Sequence, residues 1–289
     1  MTCTLCPRKC KADRNMGQKG YCGCDNRILV SKIMLHMWEE PCISGTNGSG
    51  AVFFGGCSLR CVYCQNSTIA LDAMGEHYTA DRLAKAFLSL EERGAHNINL
   101  VTPTHFAPGI AEAVNIARQS GLGIPVVYNT GGYELVDAVA RLKGTVDIYL
   151  TDFKYMSASA ADKYSNAQDY PECAKTALDE MVRQQPEPVF DEYGILRSGV
   201  LVRHLLLPGN LSNSKSVVEY LYKTYGDSIY ISLMNQYTPM RSFEDYPELS
   251  YTVTRREYDK LVNYALSLGV KNAYIQGEGS IGKNYIPDF

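Results

Sequence analysis

The chain has 289 residues, of which 45 % are hydrophobic, so it can form a sizeable core and is too long to be a small disulfide scaffold. Its formal net charge of -3 and pI near 6.0 give no electrostatic reason to expect nucleic acid or an anionic membrane as a partner. The first residues lack the apolar run of a signal peptide, and no apolar stretch is long enough to cross a membrane. We therefore expect a cytoplasmic protein.

The cysteines are concentrated at one end of the chain. Nine of the ten lie within the first 64 residues, and only Cys173 lies elsewhere. Reducing thiol pools keep cytosolic cysteines out of disulfides, so this cluster indicates metal binding or catalysis in the N-terminal quarter.

Residues 1–26 are rich in Cys, Lys, Arg and Gly and have little apolar periodicity. Cys3, Cys6, Cys10 and Cys22 follow a C-x2-C-x3-C pattern with a longer spacing to the fourth thiol, and Cys24 could replace Cys22. Such a segment has too few apolar residues to fold by burial alone, so a metal would be an economical source of its order. Zinc, a second cluster and no metal all stay open.

Beyond this module the pattern changes to alternating strands and helices. An apolar strand at residues 28–36 precedes six β-rich runs at 51–54, 97–101, 125–128, 146–150, 200–207 and 228–233, with helical patterns between them. We predict an α/β fold, a partial (β/α)6-type barrel at residues 46–289 after a cysteine-rich module and lead-in strand at 1–45. A hairpin is expected within residues 186–198, and a capping box at Thr254 and Glu257 predicts the start of a helix that ends at Gly269.

The most informative segment follows the first barrel strand. Residues 55–66 read Gly-Gly-Cys-Ser-Leu-Arg-Cys-Val-Tyr-Cys-Gln-Asn, which places Cys57, Cys61 and Cys64 in a C-x3-C-x2-C loop. Three thiolates can surround one iron-sulfur cubane and leave one iron open. A structural zinc site would need a fourth ligand, and the nearby Cys42 and His77 lie at no familiar spacing.

This loop resembles the signature of the radical S-adenosylmethionine (SAM) superfamily. The chain is similar to the branch related to pyruvate formate-lyase activating enzymes, in particular to members with an extra N-terminal cysteine motif. The resemblance implies a 4Fe-4S cluster on Cys57, Cys61 and Cys64, and reductive cleavage of SAM to a 5′-deoxyadenosyl radical that abstracts hydrogen from a substrate. It also implies a one-electron donor such as flavodoxin or ferredoxin.

The same resemblance suggests residues that hold SAM. Tyr63 is expected to pack against the adenine, or alternatively only to cover the cluster. Asn129 and Thr130, and Asp152 and Lys154, stand at two strand ends where the family approaches the methionine end or a monovalent cation. Asn129 departs from the family's aspartate, which leaves Asp152 as the only obvious carboxylate for a cation. For Asp152 and Lys154 the alternative is a structural salt link at the barrel rim.

A second departure lies after the predicted strand at residues 97–101. Where many family members have a Gly-Gly-Glu turn for the methionine amino group, residues 101–105 read Val-Thr-Pro-Thr-His. Thr104 or backbone carbonyls are candidates to accept from the ammonium, and His105 either serves the substrate or faces solvent. Arg203 and His204 must face opposite sides of their strand, so at most one points into the barrel. Residues 276–279 read as a C-terminal turn.

Three functions remain open at this stage. The first is an activase that abstracts a glycine Cα hydrogen on a glycyl-radical enzyme, and the second is a radical enzyme that modifies a small molecule or peptide. The third is a non-catalytic iron-sulfur electron carrier, which the barrel pattern and polar strand ends disfavour. No catalytic residue is assigned from the sequence.

Overall fold

The computed structural model describes residues 2–276. Within them one mixed sheet has the strand order β10-β9-β8-β6-β5-β4-β2-β1-β3, and β7 pairs with β8 alone. The strands are β1 (Ile28–His36), β2 (Ser49–Phe54), β3 (Glu76–Tyr78), β4 (Ile98–Val101), β5 (Val126–Thr130), β6 (Ile148–Asp152), β7 (Val189–Phe190), β8 (Leu196–Leu205), β9 (Tyr230–Met234) and β10 (Ala273–Ile275).

The path from β2 through β4, β5, β6, β8 and β9 to β10 is parallel throughout, and β1 is antiparallel to both β2 and β3. The helices between the strands are α1 (Pro41–Ser44), α2 (Ser67–Asp72), α3 (Ala80–Glu92), α4 (Ala107–Gln119), α5 (Val136–Ala140), α6 (Ala158–Ser165), α7 (Tyr170–Gln184), α8 (Leu211–Tyr225) and α9 (Arg255–Leu268). This succession of βα units is the predicted α/β fold, an open and mostly parallel sheet that forms a partial barrel.

The parallel strands are covered on both faces. Every residue of β2, β4 and β5 is buried, as expected for strands with helices on one side and packed side chains on the other. On the face turned away from the long helices, Cys42 and Ile43 of the short helix α1 pack against Val127, Ile148 and Leu201. The segment after β1 therefore enters the concave side of the sheet.

Several local predictions are confirmed. Helix α9 starts at the predicted capping box, in which the Thr254 side chain accepts from Glu257 N at 3.3 Å and Glu257 Oε2 accepts from Thr254 N at 3.1 Å. It ends at Gly269, whose φ of 94° favours glycine. The expected hairpin is formed by β7 and the start of β8.

Strand boundaries differ from the sequence prediction in a consistent way. β5 and β6 extend to Thr130 and Asp152, so Asn129, Thr130 and Asp152, which were expected just after these strands, are paired residues, whereas Lys154 does follow β6. Polar side chains at a strand end look like loop in a sequence, but here neighbouring strands satisfy their backbone groups. The expected turn at residues 276–279 lies, from 277 onward, outside the described residues.

The N-terminal module has no strand among its described residues and is held to the barrel by arginines. Arg8 donates to the backbone carbonyls of Ser58 at 2.8 Å and Ser165 at 2.7 Å. Arg14, which is buried, donates to the carbonyls of Asp25 and His105. The domain boundary at residue 45 stays a prediction, although β1, which precedes that boundary, is part of the same sheet as β2.

Candidate functional site

The cysteine loop leaves the end of β2 through a tight turn. Gly56 has a φ of 80°, and a Cβ there would lie 2.5 Å from both Cys22 O and Cys24 Sγ. Only glycine fits this close approach. Cys57 N donates to Cys22 O at 3.2 Å, so the N-terminal module lies directly against the first cysteine of the loop.

The three loop thiols share a buried environment. Burial, together with the charges of the neighbouring Cys57 and Cys61, raises the pKa of Cys64 to about 12. Burial likewise raises the pKa of Cys57, whereas the ammonium of Lys154 favours the thiolate at both positions. Ser165 Oγ donates to Cys61 Sγ at 3.0 Å. Cys57 and Cys64 therefore ionise readily only when a metal supplies positive charge, and three thiols on one short loop are a donor set that fits an iron-sulfur cluster.

A cavity of about 230 Å³ opens beside this loop on the concave side of the sheet. Its walls combine cysteine-loop residues, the segment after β1 and the carboxyl ends of the strands, which is where parallel α/β folds place their sites. The residues that line this cavity include Trp38, Glu39, Cys61, Tyr63, Cys64, Asn129, Asp152, Lys154, Arg203 and Gln236.

Arg203 organises the charged groups of this cavity. Its guanidinium donates to Asp152 Oδ1 at 2.9 Å, to Glu39 Oε2 at 3.0 Å and to Asn129 Oδ1 at 2.6 Å. Lys154 Nζ donates to the other carboxylate oxygen of Asp152 at 2.5 Å. Two cations, two carboxylates and an amide therefore form one network across β5, β6, β8 and the segment after β1.

The network keeps its members charged despite burial. Burial works to raise the pKa of Asp152, yet the charges of Lys154 and Arg203 hold it below its usual value. Burial works to lower the pKa of Lys154, but Asp152 and the nearby Cys61 raise it. The cavity consequently presents ionised groups of both signs, as a zwitterionic ligand requires.

Tyr63 lines the cavity and also packs into an aromatic cluster. Its hydroxyl accepts from Tyr155 Oη at 2.8 Å, and its ring makes edge contacts with Tyr164 and Tyr237. The ring is held by neighbours on several sides while it faces the cavity. Both interpretations of Tyr63, adenine packing and cluster cover, are compatible with this position.

Not every residue singled out from the sequence reaches this cavity. Thr130 faces the opposite side of β5 from Asn129, where its hydroxyl and that of Thr104 both donate to Glu134 Oε1 at 2.5 Å. Burial raises the pKa of Glu134 to about 7, against the effect of these hydroxyls. Neither threonine lines the cavity, and the SAM-binding role of Thr130 stays a prediction.

The histidines are likewise placed by the sheet. Arg203 points into the cavity and His204 points to the helix side, which answers the question that strand alternation left open. His204 donates from Nδ1 to Phe153 O at 2.7 Å, and burial lowers its pKa to about 4. His105 is only 2 % exposed and does not line the cavity, so neither the solvent-facing nor the substrate role suits its position.

Sequence reasoning missed Glu39. It follows an antiparallel strand, whereas the polar residues that the sequence marks as site candidates follow parallel strands. Two carboxylates, Glu39 and Glu40, precede Pro41 in an otherwise apolar stretch, and this pairing was the available signal. Glu39 Oε1 also accepts from Asn99 Nδ2 at 2.9 Å and from Asn129 Nδ2 at 3.2 Å. A carboxylate is thus present in the cavity although the Gly-Gly-Glu turn is missing.

The N-terminal thiols differ in burial. Cys10 is exposed and Cys3 is half-buried, whereas Cys6, Cys22 and Cys24 are buried. Among residues 2–276, the one group of metal-ligating side chains with all donor atoms within 4.8 Å of one another combines Cys22 and Cys24 with His105.

No helix in the described part of the chain is both long enough and apolar enough to cross a membrane.

The chain is similar to several known proteins. An uncharacterized protein of Methanocaldococcus jannaschii is 26 % identical over 273 residues, which cover 91 % of this chain and 74 % of that protein. The solved structure of Streptococcus suis SuiB bound to S-adenosylmethionine matches 78 % of this chain and 46 % of SuiB, with a TM-score of 0.50 and 14 % identity. A domain of a pyruvate-formate lyase-activating enzyme from Bacteroides vulgatus matches 59 % of this chain and 91 % of that domain, with a TM-score of 0.40 and 15 % identity.

The sequence profile of the Radical SAM superfamily matches residues 51–198, which are 148 of the 289 residues and include the cysteine loop, β5 and β6. Proteins of this superfamily are enzymes that use a 4Fe-4S cluster and SAM. The chain belongs to the Radical SAM superfamily.

Proposed function

We propose that Cys57, Cys61 and Cys64 hold the cluster, that the polar cavity holds the methionine end of SAM, and that the enzyme abstracts hydrogen from a polypeptide. In its activase form, the hydrogen would come from a glycine Cα of a partner enzyme. The observation that carries the proposal is the position of two of these cysteines in the wall of a cavity whose polar groups carry both charges. When bound, the reduced cluster supplies one electron to SAM, which breaks into methionine and a 5′-deoxyadenosyl radical.

The residues of the cavity would then have separate tasks. The methionine carboxylate needs cationic donors, which Lys154 and Arg203 provide, and the methionine ammonium needs acceptors, which Asp152 and Glu39 provide. Asn129 offers an amide between these groups. Because the network already ties these side chains together, they are oriented before the cofactor arrives, which lowers the entropic cost of binding it.

Tyr63 would pack against the adenine from the wall beside the last cysteine. Its hydroxyl is bonded to Tyr155 and its ring is braced by Tyr164 and Tyr237, so it can present a rigid aromatic surface. Enclosure by such side chains would also exclude water, which protects a reactive carbon radical from side reactions.

A polypeptide substrate is supported by the surface at the cavity. Trp38 lines the cavity, yet 61 % of this residue is exposed, and its neighbour Met37 is 43 % exposed. Large exposed apolar side chains beside a site are typical of protein-binding surfaces, in which tryptophan is a frequent anchor. The SuiB fold has also been solved bound to its precursor peptide SuiA, with the same TM-score of 0.50 and 14 % identity.

The cluster assignment can be tested with matched cysteine variants. Anaerobically reconstituted and reduced wild-type protein should form 5′-deoxyadenosine from SAM, and Cys61→Ala should not. Cys173→Ser is the control, because Cys173 is a half-buried cysteine on α7 far along the chain from the loop. Formation of 5′-deoxyadenosine by Cys61→Ala at the wild-type rate would refute the assignment.

The substrate class needs a separate experiment. The anaerobically reconstituted and reduced enzyme is incubated with SAM and with protein from cells grown on α-deuterated glycine, after small molecules have been removed. Deuterium in 5′-deoxyadenosine is then measured by mass spectrometry. Deuterium transfer, together with a protein-based radical signal in electron paramagnetic resonance, would support glycine Cα abstraction. If deuterium appears only when the small-molecule fraction of a uniformly deuterated culture is supplied instead, the substrate is a small molecule.

A further inference from the structure

Two N-terminal thiols and a barrel histidine come together at the junction of the module and the barrel. The sulfurs of Cys22 and Cys24 and one imidazole nitrogen of His105 all lie within 4.8 Å of one another, and all three residues are buried. We propose that Cys22, Cys24 and His105 bind a zinc ion that is separate from the cluster of the Cys57 loop. The proposal uses both Cys22 and Cys24, which the sequence offered as alternatives, and it replaces the other thiols with a histidine 81 residues beyond Cys24.

The hydrogen bonds of His105 leave one nitrogen without a partner. Its Nε2 lies 2.8 Å from Gly55 O, and because a carbonyl can only accept, Nε2 carries the hydrogen. Nδ1 is buried and has no hydrogen-bond partner among the described residues. A neutral imidazole in this tautomer has a free lone pair on Nδ1. Histidines that bind metals commonly donate their other ring N–H to a backbone carbonyl, as His105 does.

The backbone holds the ligand-bearing segments in place. Gly23, with a φ of 85°, turns the chain between Cys22 and Cys24, and Gly20 N donates to Cys24 O at 3.0 Å. Arg14 then connects the two segments, since it donates to the carbonyl of Asp25 at 2.5 Å and 3.0 Å and to the carbonyl of His105 at 2.7 Å. Its buried positive charge also offsets the negative charge of two thiolates.

The spacing of the donors favours a single ion. Zinc bonds of about 2.3 Å to sulfur and about 2.0 Å to nitrogen place tetrahedral donors about 3.5 to 3.8 Å apart. The two sulfurs and one imidazole nitrogen are already within 4.8 Å of one another, so a small contraction would bring them to three of the four tetrahedral positions, and a water would take the fourth. Two soft thiolates and an imidazole are ligands that suit zinc. On binding, zinc takes the place of the two thiol protons, which pass to solvent, and no electron is transferred.

The position of the site gives the metal a structural role. Cys22 O accepts from Cys57 N, and Cys24 Sγ and His105 Nε2 both contact Gly55 O. An ion there would fix the module against the turn that starts the cysteine loop. It would supply the order that the apolar-poor N-terminal segment lacks.

The test uses a full-length background variant, Cys57→Ala/Cys61→Ala/Cys64→Ala, in which the proposed cluster site is absent. We expect this protein to retain about one zinc per chain after desalting, because two thiolates and an imidazole are strong zinc ligands. Added Cys24→Ser or His105→Gln should weaken zinc binding at least about tenfold in competition with a chromophoric chelator. The glutamine amide can keep a donor for Gly55 O while it removes the Nδ1 lone pair. Cys173→Ser is the matched control and should leave zinc binding unchanged.

Two results would overturn the proposal. One is an undiminished zinc affinity in both Cys24→Ser and His105→Gln. The other is loss of zinc in Cys3→Ser or Cys6→Ser while Cys24→Ser and His105→Gln retain it, because the zinc ligands would then include Cys3 or Cys6. If the ligand variants fold poorly, cobalt is added to the background variant itself. Thiolate-to-cobalt charge-transfer bands and tetrahedral d–d bands in its absorption spectrum would support the site, and their absence would contradict it. Because the background lacks the cluster cysteines, this outcome is independent of SAM cleavage.

Discussion

Replacement of Arg203 by methionine should strongly destabilise the protein. Methionine keeps much of the apolar stem but removes a guanidinium that bonds Asp152, Glu39 and Asn129. Removing one partner of a buried ion pair costs about 3–5 kcal/mol, because the other charge is left uncompensated. The side chains of Arg203, Glu39 and Asp152 are 15 %, 9 % and 22 % exposed, so water reaches them slightly and we expect the lower end, about 3 kcal/mol.

The loss is measured by urea unfolding under anaerobic conditions, monitored by circular dichroism. The double variant Arg203→Met/Glu39→Gln should lose less stability than the sum of the losses in the two single variants, with a coupling of about 1–2 kcal/mol. The reason is that position 39 then carries no unpaired buried charge. Arg82→Met is the control, since Arg82 forms an exposed pair with Glu76 and its replacement should cost little stability. A cost below about 1 kcal/mol for Arg203→Met would refute the view that this network is held together by charge.

The remaining predictions concern the cluster, SAM and pH. Cys61→Ala should lose cluster iron and all 5′-deoxyadenosine formation, as measured by iron analysis and chromatography. Asp152→Ala and Lys154→Ala should each weaken SAM binding about tenfold or more, with iron content unchanged, because each removes a charge-assisted hydrogen bond. Equilibrium dialysis measures the affinity. Unchanged affinity in both variants would mean that Asp152 and Lys154 form only a structural salt link at the barrel rim. The pKa of Glu134 is raised from 4.5 to about 7. The folded state therefore binds a proton that the unfolded state has lost between these values, so stability falls as pH rises from 4.5 to 7, by about 3 kcal/mol. Glu134→Gln should remove this slope, and a slope equal to that of the wild type in pH-dependent urea unfolding would contradict the assignment.

The sequence alone predicts the ligands of one of the two metal sites but not those of the other. The spacing of Cys57, Cys61 and Cys64 is local, and a loop of eight residues can bring its own thiols together whatever the rest of the chain does. The grouping of Cys22 and Cys24 with His105 needs the module to dock on the barrel, and no spacing rule relates those positions. For this reason His105 appeared in the sequence only as a loop histidine.

The overall fold could be predicted from the sequence because hydrophobic periodicity, helix caps and turn glycines are local signals. Alternating β-rich and helical runs, the capping box at Thr254 and the two glycines before Cys57 each depend on neighbours within a few residues. The position of Asp152 and Lys154 at a strand end, and their place in one polar site, followed from the same signals together with the geometry of parallel sheets.

Only the tertiary structure decided which polar side chains meet. Strand alternation separates Arg203 from His204 and Asn129 from Thr130, but which of each pair faces the cavity depends on the register of the strand, which packing against distant elements determines. Glu39 reaches Arg203 although 164 positions separate them, because α1 carries the chain into the concave side of the sheet. Contacts of this kind leave no periodic trace in a sequence, since their energy comes from burial and charge compensation between segments that only the folded chain brings together.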